Sequence, residues 1–172
     1  IKQCLVGSEM CIRDSAIGVH ALPTGVATGS IYRIVASADD TDVLIDGVIA
    51  ATLDQGEFHE TALLDGAHVF ESGAGEPIAV YQYLPSQSAF PGVESDPAME
   101  RVIAPEDSRT AHQLDAIDDV QFGSQRLTIV ASDPELDPVF HNGIVLDASD
   151  FDPVPGSSDE FLVMDVATGT HT

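Results

Sequence analysis

The sequence predicts an all-β, β-sandwich-like fold made of two related β units, the second of them truncated. Short runs rich in Val, Ile, Tyr and Phe recur between Gly, Asp and Pro residues, which is typical of strands joined by turns. No segment holds the 3.6-residue apolar period of an amphipathic helix. The strands expected in the first unit are Ile31–Ser37, Asp42–Asp46, Val48–Leu53, Glu57–Leu63, Ala67–Ser72 and Pro77–Tyr83.

A tight hairpin is expected between the second and third of these strands. Asp46-Gly47 lies at the junction, and a type I′ turn needs a positive φ angle at both central residues, which this dipeptide tolerates. The two flanking runs should therefore pair with each other.

The landmarks of the first half return in the same order in the second half, which predicts an internal duplication. The spacing widens along the repeat because the second copy holds a longer loop, Asp147–Asp159. The matching segments are Ile34–Ser37 with Ile129–Ser132, Asp46-Gly47 with Asn142-Gly143, Glu57-Phe58 with Glu160-Phe161, and Asp65–His68 with Thr168–His171.

Four segments are expected along the chain. Residues 16–83 form the first β unit, residues 84–125 a polar connector, and residues 126–172 a second β unit that is truncated at its C-terminus. Short strands are expected within the connector near Arg101–Ala104 and Val120–Phe122. A copy that lacks its closing strands would leave unpaired strand edges, which favour association.

Residues 1–15 are predicted to be an artefact, because Leu5–Ser15 resembles a translated sequencing-library adapter. A signal-peptide remnant is the alternative, but the segment lacks the apolar run of about 7–15 residues that such a signal needs. Both cysteines, Cys4 and Cys11, lie within it. The remaining chain therefore offers no disulfide, no thiolate metal site and no cysteine nucleophile.

The charge of the chain excludes several classes of partner. There are 29 acidic residues against six Lys and Arg, which gives a formal net charge of −23 at pH 7. Nucleic acids and anionic lipids are bound through basic side chains that neutralise phosphates, so no nucleic-acid partner is expected. No run approaches the roughly 20 apolar residues of a membrane-spanning helix, so this segment is not expected to insert into a membrane.

Acidic loops between the first two strands of each copy are the candidate metal sites. Clustered carboxylates can bind Ca²⁺, which takes 6–8 oxygen ligands, although a solvated turn in an acidic chain is the alternative. The candidates are Asp39, Asp40 and Asp42 in the first copy and Asp133, Glu135 and Asp137 in the second. No cofactor other than calcium is suggested.

No catalytic site is expected, and the protein is predicted not to be an enzyme. A Gly-x-Ser-x-Gly nucleophile motif is absent, and the six histidines are scattered. Strand packing is expected for most aromatic residues, and Tyr81 with Tyr83, which share a strand face, is the best candidate for an exposed pair.

A set of ordered motifs resembles the N-terminal domain of the IgGFc-binding protein family, found in bacterial surface proteins. The motifs are Tyr32–Ser37, Asp46-Gly47, Leu53–Phe58, Gly66–His68, Pro77–Tyr83, Asp96–Met99 and Ile129–Ala131. After Asp96–Met99 the chain departs from the family, because the polar run Glu106–Arg109 stands where an apolar, proline-containing stretch is usual. The resemblance implies an extracellular, non-enzymatic, adhesive module, and it assigns no Fc contact to residues of this chain.

Together these observations predict a structural or adhesive binding module without catalytic activity, located outside the cell or at the cell surface. It would be a fragment of a larger bacterial surface or secreted protein, and its ligand an unknown protein or glycan. Two alternatives remain open: a calcium-stabilised β spacer domain, and a carbohydrate-binding or carbohydrate-active module.

Overall fold

The computed structural model describes residues 29–85, 98–102, 110–116 and 125–172. In these ranges the chain consists of antiparallel strands, with one 3₁₀ turn at Ala148–Asp150 and no α-helix. The predicted all-β fold class is therefore confirmed. The predicted adapter segment and the strand expected at Val120–Phe122 lie outside the described residues.

The chain divides into two compact units, residues 1–108 and 109–172, called unit 1 and unit 2. Unit 1 has a four-stranded sheet in the order β4-β1-β6-β7 and a three-stranded sheet in the order β3-β2-β5. The six strands expected from the sequence are all present, with ends that differ by a few residues. The strands are β1 (Ile31–Ala36), β2 (Thr41–Ile45), β3 (Val48–Leu53), β4 (Phe58–Glu60), β5 (Phe70–Ser72), β6 (Ile78–Leu84) and β7 (Ala98–Arg101).

The two sheets of unit 1 enclose one hydrophobic core, which makes this unit a β-sandwich. Tyr32 and Ile34 on β1 are fully buried, and they share the core with Val43 and Phe70 of the other sheet. The rings of Tyr32 and Phe70 lie 4.7 Å apart between centroids. Burial raises the pKa of the Tyr32 hydroxyl. Truncating either of these buried aromatic side chains to alanine should cost about 3–5 kcal/mol of stability.

Unit 2 has smaller sheets. Its main sheet has the order β12-β13-β9, and two-stranded pairs form between β10 and β11 and between β14 and β8. The connector predicted for residues 84–125 contributes a strand to each unit, because β7 pairs with β6 and β8 pairs with β14. The strands are β8 (Leu114–Ala116), β9 (Gln125–Ser132), β10 (Phe140–His141), β11 (Ile144–Val145), β12 (Asp152–Pro153), β13 (Asp159–Val166) and β14 (Gly169–His171).

Both predicted hairpin turns are present with the backbone that a type I′ turn requires. Asp46 and Gly47 have φ angles of 51° and 76°, and Asn142 and Gly143 have φ angles of 52° and 76°. Positive φ is tolerated by Asp, Asn and Gly and disfavoured for most other residues. The identity of the turn residues thus follows directly from the hairpin geometry.

Each turn is tied to a segment that comes much later in the chain. The Asp46 N–H donates to the carbonyl of Val69 over 2.8 Å, and Asp46 Oδ1 accepts from the N–H of Val69 over 2.9 Å. In unit 2 the Asn142 N–H donates to the carbonyl of Thr172 over 2.7 Å, and Asn142 Oδ1 accepts from the N–H of Thr172 over 2.9 Å. We call this pair of bonds the turn clasp, and its form is the same in both units.

The strand registers of the two units also correspond. In unit 1, β1 and β4 place Val35 opposite Phe58, and in unit 2, β9 and β13 place Val130 opposite Phe161. These are the residues that the sequence landmarks align with one another. Shared registers of this kind are what an internal duplication predicts; the duplication itself remains a prediction about ancestry.

The turn clasp leads to a test of stability with a matched control. Asp46→Ala removes the acceptor for the Val69 N–H and places alanine at a positive φ angle, so we expect the free energy of unfolding to fall by about 2 kcal/mol. Asp46→Asn keeps an oxygen acceptor and tolerates the backbone, as Asn142 does in unit 2, so its loss should be much smaller. Urea denaturation measures both, and equal losses would contradict the role given to the clasp.

Candidate functional site

One face of the four-stranded sheet in unit 1 points away from the core, and we call it the outer face. Because directly paired residues of antiparallel strands lie on the same face, the registers identify its members. They are Ile31, Arg33 and Val35 on β1, Phe58 and Glu60 on β4, Ala79, Tyr81 and Tyr83 on β6, and Met99 and Arg101 on β7.

Arg33 lies at the centre of the outer face and is held from three sides. Its Nε donates to Glu60 Oε2 over 2.6 Å, and its guanidinium carbon lies 5.3 Å from the ring centroid of Phe58 and 4.8 Å from that of Tyr83. Both distances fall within the range of cation–π contacts. The hydrogen bond to Glu60 raises the pKa of the Arg33 guanidinium, which is charged at any physiological pH.

The residues around Arg33 have the composition of a protein-binding surface. Tyr81 lies opposite Arg101, and Tyr83 lies opposite Met99. Phe58 and Met99 are 56% and 61% exposed. Arg, Tyr, Phe and Met are enriched at the centres of protein–protein interfaces, whereas Lys, Glu and Asp are depleted. The amino-acid composition of the outer face therefore differs from that of this acidic chain as a whole, in the way that is expected of a protein–protein interface.

Charge distinguishes the outer face in the same way. Its charged members are two arginines and one carboxylate, Glu60, in a chain that has 29 acidic residues and only six Lys and Arg. A partner would thus meet local positive charge on a protein whose net charge is −23. The positive charge of the outer face, within an otherwise acidic surface, favours a partner that presents carboxylates.

The prediction of an exposed tyrosine pair holds in part. Tyr81 and Tyr83 do lie together on the outer face, and both are half-buried rather than fully exposed. Tyr32 and Phe70 pack in the core as expected, but Phe58 does not, because it is paired with Val35 and therefore lies on the outer face. The sequence signal for this surface was Arg33 itself, a charged residue alternating with the buried positions of an apolar strand.

The first acidic loop places two of its three carboxylates in separate hydrogen bonds. Asp39 Oδ1 accepts from the N–H of Gln55 over 3.0 Å, and Asp42 Oδ1 accepts from the Thr52 hydroxyl over 2.6 Å. Asp40 has a φ angle of 55°, which places it in the left-handed region. These bonds stabilise the loop between β1 and β2 without using a cation.

In the second acidic loop only Asp133 has a side-chain hydrogen bond, in which its Oδ1 accepts from the N–H of Leu136 over 3.2 Å. Glu135 and Asp137 are exposed. Within the described part of the chain, no group of three or more His, Cys, Asp or Glu side chains is placed to hold a metal ion. The structure thus does not bring the three acidic side chains of either predicted site together around a common point. Calcium binding remains a prediction.

Another acidic residue of unit 2 has a local structural role. Asp147 caps the 3₁₀ turn by accepting from the hydroxyl and the N–H of Ser149, over 2.7 and 2.9 Å. These two bonds hold the pKa of the Asp147 carboxyl below its usual range.

A contact that the sequence did not reveal joins two histidines. His141 Nε2 lies 2.9 Å from His171 Nδ1, and the rings are stacked with centroids 5.1 Å apart. His171 Nε2 lies 2.7 Å from the carbonyl of Ala167, to which it donates. Since that donation makes Nδ1 the acceptor in neutral His171, His141 donates to it. The pair joins β10 to β14 and is a structural contact.

The acidic loops lead to a test with calcium. Because the carboxylates of Asp39 and Asp42 already accept hydrogen bonds from the protein, we expect millimolar Ca²⁺ to leave the melting temperature unchanged relative to the same concentration of Mg²⁺. Differential scanning calorimetry measures the shift. A rise of several degrees that is specific to Ca²⁺ and is lost in Asp42→Asn would contradict this expectation and establish the predicted site.

No helix in the described residues combines the length and the apolar character needed to cross a bilayer. No curated protein and no solved structure shows significant similarity to the chain. The model of the family described as IgGFc binding protein, by contrast, matches residues 15–172. This family consists of non-enzymatic binding domains that are typically extracellular or secreted.

The match agrees with the ordered motifs noted above, from Tyr32–Ser37 through Ile129–Ala131, and it leaves only residues 1–14 outside. Since it covers far more than half of the chain, the protein belongs to the IgGFc-binding protein family.

Proposed function

We propose that the protein is an adhesive, non-enzymatic module of a bacterial surface or secreted protein, and that it binds a protein ligand through the outer face of unit 1. The observation that carries the proposal is the position of Arg33, bonded to Glu60 and placed over the rings of Phe58 and Tyr83. Membership of a family of extracellular binding domains supports the same function.

The shape of the outer face favours a macromolecular ligand. Small ligands bind in concave sites of about 300–1,000 Å³, whereas the outer face is the surface of an antiparallel sheet. Its ten residues are fewer than the 20–30 that one partner contributes to a standard interface. The outer face would therefore supply the centre of a larger contact, with loops of unit 1 at the rim.

The fixed geometry of Arg33 lowers the entropic cost of binding. Immobilising a flexible side chain on association costs about 0.5–1.5 kcal/mol. Arg33 and Glu60 are each 44% exposed, yet they are already joined by a 2.6 Å hydrogen bond. The free protein thus presents a guanidinium that is ordered and still accessible to a carboxylate or a carbonyl of the ligand.

The family description makes the Fc fragment of immunoglobulin G the first probe to use. A panel of purified serum and extracellular-matrix proteins extends the search, and a glycan array tests the carbohydrate alternative in parallel. Biolayer interferometry with the full chain gives the affinity for each protein that binds.

Variants of two exposed phenylalanines test the location of the site. Phe58 on the outer face and Phe140 in unit 2 are 56% and 60% exposed. Phe58→Ser should weaken binding about 30-fold, the loss typical of an interface hot spot worth about 2 kcal/mol. Arg33→Ser should have a similar effect, while Phe140→Ser should leave the affinity within twofold of the parent protein.

Melting temperatures of the three variants serve as the folding control. Equal losses for Phe58→Ser and Phe140→Ser would exclude the outer face as the binding site. Binding to glycans without binding to any protein would exclude the protein-ligand function and favour the carbohydrate-binding alternative.

A further inference from the structure

We propose that the turn clasp of unit 1 is sensitive to pH: protonated His68 completes the clasp, and loss of that proton loosens the β2–β3 turn and the segment Asp65–Val69. Histidine is the side chain that changes its charge between about pH 5 and 8. The proposal does not depend on the proposed function, because none of the residues involved lies on the outer face.

The two ring nitrogens of His68 both lie against oxygen acceptors. His68 Nδ1 is 2.8 Å from Asp46 Oδ2, and His68 Nε2 is 3.0 Å from the main-chain carbonyl oxygen of Asp65. A neutral imidazole has one N–H donor and one acceptor nitrogen, whereas an imidazolium has two donors. A carbonyl and an ionised carboxylate cannot donate, so only the protonated ring makes both hydrogen bonds.

The bond to His68 belongs to the turn clasp because Asp46 uses both of its carboxylate oxygens. Oδ1 accepts from the N–H of Val69 over 2.9 Å, while Oδ2 accepts from His68, the preceding residue. One carboxylate thus fixes two consecutive residues against the turn. If the neutral ring withdrew from Asp46, the carboxylate that accepts from Val69 would lose the ion pair that holds it in place.

The charged groups that face His68 are acidic. They are the Asp46 carboxylate, at the end of β2, and Asp65, in the segment that precedes β5. In the part of the chain that the structure describes, no other charged side chain is bonded to His68. The side chains of His68 and Asp46 are 18% and 38% exposed, so their attraction is only partly screened by water.

The corresponding histidine of unit 2 has no such requirement for a proton. His171 Nε2 donates to the carbonyl of Ala167, and its Nδ1 accepts from His141 over 2.9 Å. The amide Nδ2 of Asn142, which stands where unit 1 has Asp46, is also a donor and lies 3.4 Å from that Nδ1. Neutral His171 therefore satisfies both ring nitrogens, because an amide rather than a carboxylate faces the ring.

The direction of the pH effect follows from the proton balance. The closed clasp binds the proton of His68 more strongly than the open turn does, because only the closed form offers the ring both acceptors. A state that binds more protons is stabilised as the pH falls. Closure of the clasp should therefore be strongest where His68 is protonated, and it should weaken as the pH rises through the range in which histidine loses its proton.

Hydrogen exchange of the Val69 amide in the full chain, followed by NMR at pH 6 and pH 8, tests the proposal. After correction for the intrinsic exchange rate, protection of this amide should fall about fivefold from pH 6 to pH 8, since solvent screening keeps the effect of a partly exposed pair modest. The amide of Leu146 in unit 2, which donates to Val139 over 2.8 Å, should keep its protection. Equal protection of Val69 at both pH values would overturn the proposal.

Two variants remove the proton dependence in different ways. His68→Gln has no titrating ring, and Asp46→Asn removes the carboxylate but retains an oxygen acceptor for Val69, so the fall in protection should disappear in both. His59→Gln is the matched control, because His59 is another half-buried histidine of unit 1 whose ring makes no hydrogen bond within the described residues. A fall that persists in His68→Gln, or that disappears in His59→Gln, would contradict the assignment to His68.

Nitrogen-15 NMR of the imidazole rings decides the question without any variant, even if a substitution prevents folding. At pH 7 the ring nitrogens of His68 should show the chemical shifts of a doubly protonated imidazolium. A neutral ring, with one protonated and one unprotonated nitrogen, would overturn the proposal and leave the proposed function of the outer face untouched.

Discussion

The pairing of β1 with β4 on one side and β6 on the other determines the arrangement of the rest of unit 1. Side chains alternate between the two faces of a strand, so a shift of register by one residue would exchange every inward and outward position. In the observed register Tyr32 and Ile34 enter the core while Arg33 stays outside. Burying an unpaired guanidinium would cost several kcal/mol, so Arg33 also helps to exclude the shifted register.

Strands and turns could be predicted because their signals are local. Period-two alternation in β1 and β6 and the Asp46-Gly47 dipeptide each identify their own structure without reference to distant residues. The exposure of Phe58 could not be predicted in this way, since it depends on the pairing with Val35, which places Phe58 on the outer face, and on β4 lying at the edge of its sheet. The contact of His141 with His171 likewise requires two strands to meet, and no spacing along the chain reveals that.

The acidic loops show a different limit of sequence analysis. Asp39 and Asp42 are close in sequence, and the proximity suggested a shared cation. In the structure their carboxylates accept hydrogen bonds from Thr52 on β3 and from Gln55 in the turn after it, and calcium binding stays a prediction. A sequence gives the number of carboxylates in a loop, whereas their directions depend on donors supplied by the folded backbone.

The two units agree in their turns and registers but differ at one outward-facing pair. Where β1 and β4 have Arg33 and Glu60, the corresponding pair on β9 and β13 is Thr128 and Val163. This outward pair is thus exchanged, while the outward Val–Phe pair and the turn clasp are kept. A surface of this kind can acquire a new ligand through substitutions at every second residue of a few strands, and it offers a protein engineer a site for a display library whose members share one core.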